Sequence, residues 1–329
     1  MKKSEIIQKD YLIDSLDAGV QIEVREKRLK GKRKFTEETT VLLCHGRLAP
    51  GPVAFDLSVP GYSWMDHIAS RGFNVFTMSV RGFGRSSRPA GMAKDPIGKR
   101  PLVRGKTAMR DIEAVVNFIC KRNGIGQVKL LGRSWSTTTT AAFAAANPAR
   151  VNRLVLYAPY YAYDHPERAA RFQDPQKPGR WNPNNGSWIW TTEKDLHARW
   201  WGHISGSAHH RWRDMKLVRA YWKEYLATDP DGARRKPPAV QTPNGSLADL
   251  YDRVRNKPPY DASKIRCPVL LIFGEQDGAA NPAEAWGLFQ KLTSSHGKRY
   301  VVMGEGTHFM EFEHRREEFL AQIQDFLET

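Results

Sequence analysis

The chain contains only three cysteines in 329 residues: Cys44, Cys120 and Cys267. They sit beside or within apolar segments and show no CxxC spacing, so they read as small buried hydrophobes rather than as bridges or metal ligands. A reducing compartment suits them. Also missing is any apolar run near the ~18 residues that a membrane-spanning helix needs. Met1-Lys2-Lys3-Ser4-Glu5 leads into polar sequence with no signal-peptide core, which gives the expectation of a cytoplasmic protein with no membrane partner. Acidic residues are in deficit, 35 Asp and Glu against 51 Lys and Arg, a formal net charge of +16. A basic excess of this size invites a nucleic-acid reading, but the charge is scattered. The only dense run, Arg28-Leu29-Lys30-Gly31-Lys32-Arg33-Lys34, lies between two strand-like segments as a solvated hairpin end, and no nucleic-acid recognition motif accompanies it. Gly82-Phe83-Gly84 lacks the third glycine and the acidic residue of a dinucleotide fingerprint. His203, His209 and His210 lack acidic or cysteine partners at regular ligand spacing. Neither a cofactor nor a metal is expected.

What is present is an ordinary globular composition, 40% hydrophobic and 26% charged. Tyr11 to Val24, broken at Asp17-Ala18-Gly19, reads as an antiparallel pair. Beyond it, short apolar runs alternate with helical periodicity: strands at Thr40–Cys44, Phe73–Met78, Val128–Leu131 and Val151–Tyr157, helices at Lys106–Arg122 and Thr137–Ala146. This pattern predicts an α/β fold, a mostly parallel central sheet flanked by helices. After Pro159 it breaks for about a hundred residues that hold seven of the ten tryptophans, then resumes with a strand at Val269–Phe273, a helix at Ala283–Leu292, a strand at Arg299–Val302 and a helix over Glu313–Phe326. The expected division is a core of residues 1–159 and 263–329 with an inserted, mainly helical cap over 160–262.

Three post-strand positions carry chemistry. Gly132-Arg133-Ser134-Trp135-Ser136 places a serine in a tight turn between a predicted strand and a predicted helix, with small residues on either side of it at spacing two. A serine hydroxyl is a weak nucleophile until a base takes its proton. Candidates follow in the order acid, then histidine: Asp277 in Gly274-Glu275-Gln276-Asp277-Gly278, with Glu275 as the weaker alternative, and His308 in Gly306-Thr307-His308.

These residues resemble the α/β-hydrolase superfamily from about Thr40 to the C-terminus, with the cap as its variable insertion. His45-Gly46 after an early strand is similar to the family's oxyanion loops. Arg81-Gly82-Phe83-Gly84-Arg85-Ser86 is similar to its D-x-R-G-x-G-x-S segment, with Ser79 where that pattern has Asp. The resemblance implies a serine hydrolase in which Ser134 attacks, His308 acts as base and Asp277 orients it. The oxyanion hole would then be the backbone N–H of Trp135 with that of Arg47 or Leu48. The expected reaction is hydrolysis of a small-molecule carboxylic ester or lactone through an acyl-enzyme. Arg47, Arg133 and Trp135 flank the reacting position and are the expected substrate contacts. Two rival functions remain open. Ser134-Trp135-Ser136-Thr137 followed by a Trp-rich cap also resembles the proline iminopeptidase group, although Arg47-Leu48-Ala49-Pro50 stands where that group has an HGGPG-type loop. A non-catalytic ligand receptor on the same scaffold is the third possibility. Oligomeric state is not legible in the sequence.

Overall fold

The computed structural model describes residues 5–204 and 209–329; the opening residues 1–4 and four residues of the expected cap lie outside it. Eight strands form one sheet: β1 Ile6–Asp14, β2 Gln21–Leu29, β3 Thr40–Cys44, β4 Asn74–Ser79, β5 Val128–Arg133, β6 Val151–Tyr157, β7 Val269–Gly274 and β8 Lys298–Met303. Their order is β1-β2-β4-β3-β5-β6-β7-β8. β1 and β2 form the antiparallel pair, β2 runs antiparallel to β4, and every pairing from β4 to β8 is parallel. β3, β4, β5 and β7 are buried along their whole length, which is why each reads as a continuous apolar run rather than an alternation.

The helices of seven residues or more are α1 Trp64–Ser70, α2 Gly105–Asn123, α3 Ser136–Ala146, α4 Glu193–Trp201, α5 Met215–Ala227, α6 Gly245–Arg253, α7 Pro282–Lys291 and α8 Arg316–Glu328. α2 buries Ala108, Ile112, Val115, Val116 and Ile119 on one stripe and stops at Gly124, whose φ of 66° closes the helix in the left-handed conformation. α3 is different, buried almost all round under the sheet centre. It can sit there because its residues are small and its threonines return their hydroxyls to the chain: Thr137 to Ser134 O, Thr138 to Trp135 O, Thr139 and Thr140 to Ser136 O. Two apolar clusters fill the two faces of the sheet, one around Leu42, Phe76, Ile112 and Leu130, the other around Leu43, Trp64, Tyr157, Phe273 and Phe319.

Between β6 and β7 the chain leaves the sheet for residues 160–262. The segment is less helical than expected. Besides α4, α5 and α6 it holds two antiparallel ribbons, Gln173–Asp174 with Lys177–Trp181, and Trp188–Thr192 with Ala239–Pro243. Trp200, Leu217, Val218 and Tyr221 pack against Leu48, Val53, Phe309 and Phe312, so the segment lies over the loops that follow β3 and β8. α8 also departs from expectation, starting at Arg316 rather than Glu313. Met310–Phe312 is a short 3-10 turn, and Glu313 turns inward to accept from Thr307 N and Arg213. The basic run is split by the end of β2 and balanced locally: Arg28 faces Glu26, Lys30 meets Glu5 and Lys32 donates to Gly72 O. No described helix is long and apolar enough to cross a membrane.

Candidate active site

β5 ends in the turn that carries Ser134. A methyl group on Gly132 would lie 2.3 Å from Thr140 Oγ1 and 2.6 Å from Ser136 O, so only glycine fits there. Ser134 itself has φ 57°, a left-handed conformation that a non-glycine residue holds only when its surroundings impose it. Ser136, the small residue on the other side, donates its hydroxyl to the carbonyl of His45, tying the turn to the loop after β3. Gly46 packs against the turn so closely that a methyl there would approach Ser134 Cβ at 3.2 Å. His45 takes no part in proton traffic. Its Nδ1–H donates to Gly46 O and its Nε2 accepts from Val80 N, and burial pushes its imidazole down to about 4.

Three sequence-expected residues come together. Ser134 Oγ lies 2.8 Å from His308 Nε2, and His308 Nδ1 lies 2.8 Å from Asp277 Oδ2. The hydrogen-bond pattern sets one tautomer, Nδ1–H to the carboxylate and Nε2 free to accept from the serine. The Asp277 Oδ1 atom also accepts from the backbone N–H groups of Ala279 and Ala280. Burial alone would raise this carboxyl, but the His308 imidazole and the Ala280 amide outweigh it and hold it at about 2. Burial pushes His308 down to about 4 against the pull of Asp277, with Arg133 and Arg199 adding to the depression. At neutral pH the pair is therefore a carboxylate and a neutral imidazole, the state in which a histidine can accept a proton. Glu275, the alternative acid, is exposed and points elsewhere.

The remaining expected contacts divide. Arg133 does not offer its guanidinium to a substrate: Nε is 2.6 Å from Glu311 Oε1, and Nη2 donates to His308 O. Tyr157 Oη donates to Glu311 and accepts from Met310 N, so Arg133, Glu311 and Tyr157 together brace the loop that presents His308. Trp135 turns its indole to Asp249 Oδ2 at 3.0 Å, leaving its backbone N–H as its one group beside Ser134. Leu48 belongs to the apolar cluster with Trp200 and Phe309. Arg47 has a buried Nε with no hydrogen-bond partner.

Two residues were not expected beside the triad: Tyr160, and His203, weighed in the sequence only as a metal ligand. Tyr160 Oη accepts from Ser134 Oγ at 3.3 Å; its ring stacks on His308, and the Arg253 guanidinium lies 3.7 Å from the ring centroid. His203 stacks on His308 with centroids 5.6 Å apart and accepts at Nδ1 from Gly278 N; burial and the neighbouring His308 push it down to about 4. Neither has a spacing that marks it, since both come from the irregular segment. Glu23 is a third surprise. Its carboxylate accepts from Ser79 Oγ and Arg85 N, so β2 supplies the negative charge to the loop in which Ser79 replaces an aspartate.

Comparison with known proteins places this geometry in context. Residues 39–315 match the family described as alpha/beta hydrolase fold. No curated protein matches the chain. Among solved structures it is similar to E-2-(acetamidomethylene)succinate hydrolase, with TM-score 0.63, 16% identity and coverage of 98% of this chain and 100% of the other. It is similar to the 2-hydroxy-6-oxo-6-phenylhexa-2,4-dienoate hydrolase of Rhodococcus sp. strain RHA1, with TM-score 0.62, 15% identity and coverage of 98% and 99%. An esterase from Thermogutta terrifontis gives TM-score 0.56, 17% identity and coverage of 97% and 98%. At these identities the likeness is one of fold.

Proposed function

This chain belongs to the alpha/beta hydrolase fold family, and from that premise we propose that it is a serine hydrolase of carboxylic esters or lactones, acting through an acyl-enzyme. The observation that carries the reading is the continuous hydrogen-bonded line from a strained serine through a neutral histidine to an ionised aspartate. Ser134 Oγ attacks the ester carbonyl carbon as its proton passes to His308 Nε2. The carbonyl π pair moves to oxygen, where the backbone N–H groups of Trp135 and of Arg47 or Leu48 stabilise it. Collapse expels the alkoxide, which takes the proton from His308, and water then repeats the sequence on the acyl-serine. Asp277 holds the tautomer and stabilises the transient imidazolium without itself taking the proton.

Residues 160–262 act as the cap in this proposal, covering Ser134 and His308, which are 1% and 0% exposed. A buried site of this kind favours a small-molecule substrate enclosed away from water. Three free, buried thiols fit a reducing cytoplasm.

The test is covalent labelling by a fluorophosphonate. Wild-type protein is expected to label at Ser134 and to hydrolyse nitrophenyl esters with a burst, while Ser134→Ala folds but neither labels nor turns over. Labelling at another serine sinks the assignment. Hydrolysis of proline anilide in preference to esters moves the protein to aminopeptidase chemistry, and tight ligand binding with no labelling makes it a receptor.

A further inference from the structure

Four arginines are buried, and each meets a carboxylate: Arg81 with Asp111, Arg133 with Glu311, Arg213 with Glu313 and Arg253 with Glu284. This is the usual condition of a desolvated guanidinium, because an uncompensated charge out of water is costly. Arg47 breaks the pattern. It is part-buried, between the buried residues Gly46 and Leu48; its Nε is buried with no partner, and no carboxylate among the described residues lies within ion-pairing distance. It follows directly on the glycine that packs against Ser134, so it begins beside the reacting serine.

A second cation stands close by. Arg199 lies on α4, one turn before His203, the residue stacked on His308, and adjacent to Trp200, which packs on Phe309. Arg199 also has no acidic partner among the described residues. The acids of its own helix are occupied elsewhere, Glu193 facing His197 and Asp195 bonded to Thr192 at the helix start. Burial, then Arg199, lowers Arg47 to about 10, and the same Arg199 depresses His203 and His308. Leu48, next to Arg47, and Trp200, next to Arg199, pack in one apolar cluster, so the two arginines start from adjoining positions.

We propose that Arg47 and Arg199 form an anion subsite, one from the loop after β3 and the other from the segment above it, and that the substrate is an ester or lactone carrying a free carboxylate near the scissile bond. The inference rests on the serine-hydrolase reading and names its substrate class. The missing counter-charge arrives with the ligand: a carboxylate accepts from the planar N–H edge of Arg47 while Arg199 closes on it, and the apolar wall of Leu48, Trp200 and Phe309 keeps water from weakening the pair. Arg133, the other arginine beside Ser134, is excluded because Glu311 already neutralises it.

The experiment compares nitrophenyl hemisuccinate with nitrophenyl butyrate, a neutral ester of similar size. Wild-type kcat/KM is expected to favour the hemisuccinate at low and at high salt. Arg47→Gln is expected to lower the hemisuccinate-to-butyrate ratio about 100-fold, as truncating one partner of a buried charge pair does, with Arg47→Lys restoring part of it. Arg199→Gln is expected to lower it in the same direction. Binding of succinate to Ser134→Ala protein, followed by calorimetry, gives a readout that needs no turnover and is expected to weaken by about tenfold or more in Arg47→Gln and Arg199→Gln backgrounds. If the protein labels at Ser134 and cleaves butyrate but shows no hemisuccinate preference and no succinate binding, the anion subsite falls and the serine hydrolase stands. If Ser134 does not label at all, both fall.

Discussion

The site is built from two regions that hold their residues by different means. Ser134, Asp277 and His308 stand on short turns directly after β5, β7 and β8, and backbone hydrogen bonds decide where each side chain points: Asp277 is clamped by the amides of Ala279 and Ala280, and Ser134 N by Tyr157 O. Residues 160–262 do not stand on the sheet. Backbone bonds such as Leu102 N to Ser187 O and Gly245 N to Leu102 O tie the segment to the chain before α2, and over the site it is held by side chains, through the ring stack of Trp200 with Phe309 and Phe312 and the buried pairs Arg213–Glu313 and Arg253–Glu284. In the first region the turn after each strand does most of the placing, with Arg133 and Glu311 bracing the His308 loop; in the second, contacts distant in sequence must form before anything is in place. Losses in the first should therefore be local and chemical. Losses in the second should spread to stability and to the electrostatics of the site.

The largest expected contrast is within the first region. Asp277→Asn removes the negative charge and favours the wrong imidazole tautomer, so kcat should fall about 10,000-fold with the melting curve little changed. Glu275→Gln, two residues away but exposed, should leave kcat near wild type. The reverse ranking would move the orienting acid to Glu275 and show that backbone clamping is a poor guide to function here.

The joint between regions comes next. Glu313→Ala leaves the fully buried Arg213 guanidinium without its counter-charge, and a broken buried pair costs about 3–5 kcal/mol, read from chemical denaturation. Breaking the exposed Arg315–Glu318 pair instead should leave the midpoint unmoved. Equal effects would mean that the segment is not held to the sheet domain by this clamp.

The same division explains what could be read beforehand. The strand runs, and the meeting of Ser134, Asp277 and His308 beside Gly132, were legible because a parallel sheet writes its strands as apolar runs and brings the turns after them to one edge. Tyr160, His203 and Glu311 were not. Tyr160 and His203 lie where no period constrains the chain, and Glu311 matters only through distant partners, Arg133 178 positions away and Tyr157 154 positions away. Arg133 misled for the same reason: adjacent to Ser134 in sequence, it reads as a substrate contact until Glu311 is seen. Glu23 supplies a charge that belongs in the sequence pattern at position 79, a swap that only register between β2 and β4 reveals.

Electrostatics links the regions and gives the third test. His308 is held at about 4 chiefly by burial, so the acid limb of kcat/KM should lie well below the ordinary histidine value of 6.5. Linkage has a defined sign: the unfolded imidazole takes a proton near 6.5 and the folded one near 4, so stability is complete above 6.5 and falls as pH drops through that window. His45 and His203, also held at about 4, steepen the fall. Trp200→Ala removes the ring that covers Phe309 and should cost about 3–5 kcal/mol. Where water then reaches His308, the acid limb moves up toward 6.5. A limb that stays put would show that the sheet domain alone desolvates the base.

The smallest expected effect falls where the two regions touch. Tyr160 opens the irregular segment and puts its hydroxyl 3.3 Å from Ser134 Oγ. The tyrosine oxygen accepts from Ser134 Oγ at the longer of two distances, 3.3 Å against 2.8 Å to His308 Nε2, so in the resting state it is the weaker of two acceptors for the serine proton. An acceptor of this kind adds little to turnover, since only interactions that strengthen on the way to the transition state raise kcat. Tyr160→Phe keeps the ring, which packs on His308 and the Arg253 guanidinium, and deletes one neutral hydrogen bond worth about 1 kcal/mol. The expected outcome is a change of no more than roughly fivefold in the rate of fluorophosphonate labelling and in kcat, with KM nearly unchanged. A fall of about 1000-fold confined to kcat would instead match the loss of an oxyanion donor. The irregular segment would then contribute a group to the chemistry itself, and the division between a region that reacts and a region that encloses would have to be redrawn at Tyr160.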